Sequence, residues 1–246
     1  MNNYRILVQY EGTRYQGWQK QDSTDNTIQG KLEAILTKMT GEFVQVDGSG
    51  RTDAGVHAVG QVANFHLNEP VLPQEIMEYL NRYLPEDIGV IRIEEVAPRF
   101  HSRLNAVEKT YTYRVINSNI PHVFARKYAF VVEETLDVDV MREASRYLCG
   151  THDYKAFTSA KKGKKSTVRT VKDIVIQKEN DMITFTYQGD GFLYHMVRIL
   201  TGTLIEVGLG KRKPEDMEGI LDSKIRENAG PLVPAKGLCL MEVKYH

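Results

Sequence analysis

The sequence predicts an α+β fold of two ferredoxin-like halves, each a split β-α-β-β-α-β unit. Together they are expected to form one extended, mostly antiparallel sheet with helices on one face and a cleft on the other. Three observations carry this. Apolar residues switch between strand and helix periodicity in the same order twice along the chain. The 246 residues suffice for two halves of roughly 100–120 residues, each with a core. The join near Asn105–Lys109 is short, and no Pro/Ser-rich linker separates the halves, so a shared interface is expected. The division falls at residues 1–105 and 106–246.

In the first half, Tyr4–Tyr10 alternates and is rich in β-formers, which reads as a strand. Glu11–Asp25 is a polar, glycine-containing loop with the only tryptophan, Trp18. Asn26 or Thr27 can cap a helix in which Ile28, Leu32, Ile35, Leu36 and Met39 recur at helical spacing, stopped by Gly41. Phe43–Val46 reads as a short strand ended by Asp47-Gly48, and Gly60–Leu67 as another. Pro73 opens a helix whose apolar side is Ile76, Tyr79, Leu80 and Tyr83, and Val90–Val96 closes the half as a strand.

The second half repeats the order with insertions. Thr110–Ile116 is an alternating strand, and Tyr128–Val132 a short extra one. Asp137–Leu148 reads as a helix with Val140, Ala144, Tyr147 and Leu148 inward, ended by Gly150. Arg169–Gln177 and Met182–Tyr187 form a hairpin around Glu179-Asn180-Asp181. Phe192–Val207 and Pro214–Leu221 read as helices, the first with Met196, Ile199, Leu200, Thr203 and Leu204 on one side. Leu238–Val243 is the final strand.

Composition narrows the function classes. Hydrophobic residues at 41% and charged residues at 26% are those of a globular protein, not a disordered or fibrous one. No apolar run reaches the ~18–20 residues of a membrane-spanning helix, and Met1-Asn2-Asn3-Tyr4-Arg5 leads directly into a strand, unlike a secretory signal. Cys149 and Cys239 are too few for a four-cysteine metal site or a disulfide framework, so the cytoplasm is the expected compartment. Lys+Arg and Asp+Glu are both 32, which excludes a uniformly basic polyanion binder but not a basic face with an acidic back. From Tyr154 to Lys172 there is no acid, against seven bases: Lys155, Lys161, Lys162, Lys164, Lys165, Arg169 and Lys172. From Ala97 to Val132 six bases, Arg99, Arg103, Lys109, Arg114, Arg126 and Lys127, face Glu108 alone.

Several common sites fail on spacing. Gly48-Ser49-Gly50 begins a dinucleotide fingerprint, but Asp53 holds the third glycine position. There is no Walker lysine motif, and Ser49 lacks the frame of a nucleophile elbow. The seven histidines form no metal-binding pair at helical spacing, and no metal is expected. The run Gly48-Ser49-Gly50-Arg51-Thr52-Asp53-Ala54-Gly55-Val56-His57-Ala58 is different. It lies between two strands, its glycines permit close backbone approach, and it holds a guanidinium and a carboxylate two residues apart. Locally it also fits a plain Asx-type turn with a surface ion pair.

Residues Gly50 to Ala58, followed by Gly60-Gln61-Val62 and Phe65, resemble the active-site signature of the TruA family of tRNA pseudouridine synthases. Four further blocks agree in order. Tyr10 to Gln19 resembles the family's first-strand loop. Phe100-His101-Ser102-Arg103 with Lys109-Thr110-Tyr111-Thr112-Tyr113 resembles its mid-chain block. Lys165 to Thr170 and Gly191 to Arg198 resemble the later ones. The likeness runs from Tyr4 to Tyr245. Ser102 stands where alanine is usual and Asp190 where asparagine is common; His195 is one of the family's alternatives.

The resemblance implies the pseudouridine synthase fold and a metal- and cofactor-free isomerisation. The C1′–N1 glycosidic bond of uridine is cut, the uracil turns, and it rejoins through C5. Asp53 matches the catalytic aspartate, either as nucleophile or as the base removing a ribose proton. Arg198 matches its ion-pair partner. Tyr111 matches the tyrosine that stacks on the uracil, which puts Tyr113 on the same side of its strand. Arg51 would meet the RNA backbone or hold the flipped nucleotide, and Phe192, Leu193 and Met196 would wall the pocket. Arg103, with Arg99 and Arg114, and Lys161, Lys162, Lys164 and Lys165 would contact RNA backbone. The implied substrate is tRNA at uridines 38, 39 and 40 of the anticodon stem-loop. The implied assembly is a homodimer bridging one tRNA, which reconciles zero net charge with a polyanionic substrate. Two other readings keep parts of this: a paralogue acting on another RNA such as rRNA, and a non-catalytic RNA-binding module that needs no Asp53.

Overall fold

A computed structural model describes residues 1–160 and 166–246. The chain divides into two compact units, Met1–Val107 together with Cys239–His246, and Glu108–Leu238. Both are mixed α+β with mostly antiparallel sheets. Lys161, Lys162, Lys164 and Lys165 lie outside the described residues.

The first unit begins β1 (Asn2–Tyr10), α1 (Ile28–Thr40), β2 (Val46–Gly48), β3 (His57–Leu67), α2 (Pro73–Tyr83), β4 (Ile88–Val96). Strand β1 lies between β3 and β4, antiparallel to both, and β2 pairs antiparallel with the other side of β3. Alternation places Tyr4, Ile6, Val8 and Tyr10 of β1 in the core, and Tyr4 stacks on its cross-strand partner Phe65 at 5.7 Å. Helix α1 starts where the Thr27 hydroxyl accepts from Gly30 N (3.2 Å) and stops at Gly41 with φ 77°. It buries Ile28, Leu32 and Leu36. Pro73 opens α2, which buries Ile76 and Leu80; Tyr83 stays exposed beside Tyr79 with the Lys38 ammonium over its ring.

Two boundaries here differ from the sequence reading. The strand expected at Phe43–Val46 lies at Val46–Gly48, because Phe43 is exposed and Asp47-Gly48 continue the ladder opposite Asn64 and Ala63. Gly48 is not a turn glycine; a Cβ there would meet the Trp18 indole at 2.4 Å. Strand β3 starts at His57, three residues before the expected Gly60.

The second unit holds β5 (Ala106–Asn117), β6 (Phe130–Val132), α3 (Val138–Tyr147), β7 (Gly150–Asp153), β8 (Val168–Glu179), β9 (Met182–Gly189), α4 (Met196–Gly208) and α5 (Asp216–Ser223). Its sheet runs β5-β9-β8-β7, antiparallel throughout, with β6 parallel to the end of β5. The expected β8–β9 hairpin is present, turning through Asn180 at φ 52°. Strand β7 was not expected, since Gly150 does not stop a helix but opens a polar edge strand. Helix α3 faces inward through Val138, Met141, Ala144, Ser145 and Leu148, whereas Val140 and Tyr147 are half-buried. Helix α4 begins at Met196 rather than Phe192, because His195 takes the left-handed conformation (φ 66°) and Phe192–Tyr194 precede it as loop. It is buried nearly all round, and Gly202 lets the Pro231 carbonyl approach to 2.0 Å of where a Cβ would stand.

The last strand, β10 (Leu238–Tyr245), runs parallel to β3, with Cys239 opposite His57 and Leu240 opposite Ala58. Residues Cys239–His246 therefore group with the first unit, unlike the division at 105/106, which left them with the second. Gly60 permits this pairing: a Cβ there would lie 2.1 Å from the Met241 carbonyl oxygen.

Candidate active site

The run from Gly48 to His57 is held by the loop that follows β1. Trp18 N donates to Thr52 O (3.1 Å) and Gly55 N to Tyr15 O (3.2 Å). Three glycines make this approach possible. A Cβ on Gly12 would fall 1.9 Å from Val56 O, one on Gly17 2.6 Å from Thr52 O, and one on Gly48 inside the Trp18 ring. Gly17 also needs φ 94° and Gly55 φ 78°, values that side chains rarely adopt. Trp18, at 2% exposure, is the wedge between the loops.

Beneath the run lies a buried polar network. The Ser49 hydroxyl donates to Gln61 Oε1 (2.7 Å), and Gln61 Nε2 donates to Gly50 O (3.1 Å) and Tyr10 OH (3.5 Å). Tyr10 OH in turn meets Thr52 Oγ1 at 2.8 Å. Burial pushes the Tyr10 phenol far above its ordinary value, against the lowering by Thr52 and Gln61, so it stays protonated. Asp53 follows Thr52, half-buried, and its carbonyl accepts from Val56 N (3.2 Å) to close a tight turn. Arg51 is exposed; its Nε donates to Gln19 Oε1 at 3.0 Å. At the end of the run, buried His57 accepts from Gly12 N at Nδ1 (3.0 Å), which fixes the tautomer with the proton on Nε2. Asp87 steadies the facing loop, taking Tyr15 OH and Arg14 Nε at 2.5 Å each. Burial works against the Asp87 charge, but the bonds from Arg14 and Tyr15 outweigh it and hold the carboxyl below its ordinary value.

The remaining expected site residues belong to the second unit, apart from Arg103. Tyr111 is buried on β5 opposite Tyr187, with the Phe192 ring edge-on at 5.4 Å. Tyr113 is buried as well, its hydroxyl donating to Pro234 O (2.7 Å). Leu193 is half-buried, its N–H on Met196 Sδ at 3.5 Å. Arg198 stands in the first turn of α4, half-buried, with Nε donating to Val233 O (2.8 Å). In the first unit, Arg103 is exposed. The structure thus brings Tyr111 and Phe192 together and sets Arg51, Thr52 and Asp53 on one rigid loop.

Two departures from the resembled pattern have structural reasons. Ser102 is fully buried and donates to Asp47 O (2.6 Å), tying the chain to β2. Asp190 Oδ1 accepts from Thr170 N (3.0 Å), a bond an asparagine oxygen makes equally. Sequence reasoning missed Gln61 and Tyr10 as site supports. The available signal was an amide inside the apolar run of β3.

The half-buried Asp53 thus sits on a glycine-framed loop between β2 and β3 of a mixed α+β unit. The chain belongs to the tRNA pseudouridine synthase family, whose family model matches residues 6–105 and 144–246. It is 50% identical over 245 residues to the tRNA pseudouridine synthase A of Bacillus sp. (strain KSM-64), covering 100% of both chains. It is 47% identical over the same length to tRNA pseudouridine synthase A 1 of Clostridium tetani (strain Massachusetts / E88), again covering 100% of both. A chain of the solved Cbf5-Nop10-Gar1 complex aligns with a TM-score of 0.40 and 12% identity, over 96% of this chain and 48% of that one; at that level it bears on neither fold nor function. Among the described residues no group of His, Cys, Asp and Glu is arranged to hold a metal ion, and no helix is long and apolar enough to cross a membrane.

Proposed function

We propose that this protein isomerises uridine to pseudouridine at positions 38, 39 and 40 of the tRNA anticodon stem-loop, with Asp53 as the catalytic carboxylate. The observation that carries this reading is the Gly50–Gly55 signature, whose aspartate sits half-buried on a loop that hydrogen bonds hold from both sides. The reaction is an isomerisation with no net redox change. The C1′–N1 bond breaks, the uracil rotates, C5 bonds to C1′, and the proton lost from C5 is balanced by one gained at N1. As nucleophile or as base, Asp53 acts ionised, and a nearby cation favours that state. Arg198 serves as that cation in this reading. Tyr111 stacks on the uracil, and Phe192 and Leu193 exclude water beside it.

A uridine in a stem must leave the stack first, at a cost of a few kcal/mol. Contacts from Arg51, Arg103 and the lysines Lys161, Lys162, Lys164 and Lys165 offset that cost. Recognition of this kind is led by shape and phosphate. The protein acts in the cytoplasm as a homodimer that presents its bases to one tRNA.

The test is Asp53→Asn assayed on tRNA transcripts carrying uridine at 38, 39 or 40. Pseudouridine formation is expected to vanish while tRNA affinity stays within a few-fold. Turnover near wild type in that variant would overturn the role of Asp53, and modification elsewhere in the transcripts would overturn the position.

A further inference from the structure

We propose that Gln61, acting with Tyr10, is a positioning residue that sets the angle at which Asp53 is presented. The proposal rests on the catalytic role of Asp53 given above.

Gln61 lies on β3, wholly buried, opposite Val8 of β1. A position in the middle of a sheet is well served by an aliphatic side chain, and a buried amide is tolerated only when its atoms are bonded. Here each amide atom of Gln61 is directed to the Asp53 loop or its support. Oε1 accepts from Ser49 Oγ, and Nε2 donates to Gly50 O and to Tyr10 OH. The same phenol oxygen shares a 2.8 Å hydrogen bond with Thr52 Oγ1. One amide therefore fixes residues 49 and 50 directly and residue 52 through a phenol. These flank exposed Arg51 and end one residue before Asp53.

The direction of the chain matters. Ser49 donates to the amide oxygen, which leaves only N–H groups facing the Gly50 carbonyl. A carboxylate at the same place accepts from Ser49 and from Tyr10, but sets a negative oxygen against the Gly50 carbonyl. Burial pushes such a carboxyl's titration upward, and once protonated it offers a hydrogen again. Gln61→Glu therefore becomes a loop whose fit depends on pH.

The experiment compares Gln61→Glu, Gln61→Met and Tyr10→Phe with the wild type in steady-state pseudouridine formation across about pH 5.5 to 8.5, the range in which a buried carboxyl titrates. Gln61→Met is expected to lower kcat about 10- to 100-fold with KM for tRNA within twofold, as for loss of orientation in the transition state. Tyr10→Phe falls by less. Gln61→Glu is expected to regain rate as pH falls, relative to the wild type measured at the same pH, whose neutral amide has no such dependence. If Gln61→Met does not fold, the pH profile of Gln61→Glu decides. A Gln61→Glu profile parallel to wild type with kcat unchanged overturns the inference, as does a loss in Gln61→Met that appears only in melting temperature. Activity in Asp53→Asn overturns the catalytic reading instead, so the two failures are distinguishable.

Discussion

Gly17 shows how much of the site depends on one missing methyl group. Its φ of 94° is costly for a side chain, and a Cβ would stand 2.6 Å from Thr52 O, a backbone atom that cannot swing aside. Gly17→Ala must push the Trp18 loop away from the Asp53 loop or strain both. We expect a loss of about 1–3 kcal/mol, with a melting temperature lower by several degrees, and a fall in kcat because the backbone just before Asp53 moves. Gly41 is the control. It also has positive φ (77°), but nothing lies within 4 Å of its Cβ position, so Gly41→Ala carries strain without the clash and leaves kcat intact. Equal kcat losses in the two variants would show that the close approach at Gly17 is not what holds the loop. The same logic applies to Ser102, whose bond to Asp47 O gives a serine a use where alanine suffices for packing.

At the scale of elements, the β8–β9 hairpin isolates a local requirement. Glu179 and Met182 pair across a two-residue connection, and Asn180 takes φ 52°. Asn tolerates this region and Ala does not, so Asn180→Ala should cost about 1 kcal/mol, while Asn180→Gly should be near neutral; chemical denaturation of both variants checks it, and an equal loss in both would refute it. This hairpin was legible in the sequence because alternation on both sides and a polar turn agreed. Strand β1 and the Thr27 cap of α1 were legible for the same reason. Strand β7 was not, since Gly150-Thr151-His152-Asp153 is polar and lies at a sheet edge, with no buried face to impose alternation. Helix α4 was read as starting four residues early, at Phe192, because apolar residues there have helical spacing while the backbone at His195 is left-handed. The Asp53 loop was legible through its glycines and its signature. Its supports were not, because Tyr10 and Gln61 occupy strand positions, and a strand residue declares its partners only once register brings two strands together.

For the molecule as a whole, tyrosine burial sets the alkaline limit of stability. Burial raises the phenols of Tyr10, Tyr15 and Tyr245 in the first unit and of Tyr113, Tyr154 and Tyr187 in the second, Tyr15 to about 12 with Asp87 adding to the effect. The sign follows from linkage. A group whose folded pKa is raised holds its proton longer in the folded state, so its contribution is fully present below the ordinary value of 10.0 and is lost as pH rises toward the folded value. Unfolding then releases protons, and each fully shifted tyrosine removes about 1.4 kcal/mol per pH unit above pH ~10. Tyr10 and Tyr187 act at nearly full strength because they are enclosed, whereas Tyr15, buried as well, is raised less and contributes less. Stability should therefore be little affected by these groups from neutrality to about pH 10 and fall steeply beyond it. Because both units carry such tyrosines, neither is expected to outlast the other. Tyrosinate absorbance and circular dichroism followed together through an alkaline titration give the check. The enclosed phenols should ionise only as the secondary structure is lost, and Tyr187→Phe, which removes one such phenol, should flatten the alkaline fall by roughly one proton's worth. Ionisation of all the tyrosines near their ordinary value with the circular dichroism unchanged would show that these rings are not enclosed in solution, and with them would go the burial that keeps the Tyr10 hydroxyl a hydrogen-bond donor beneath Asp53.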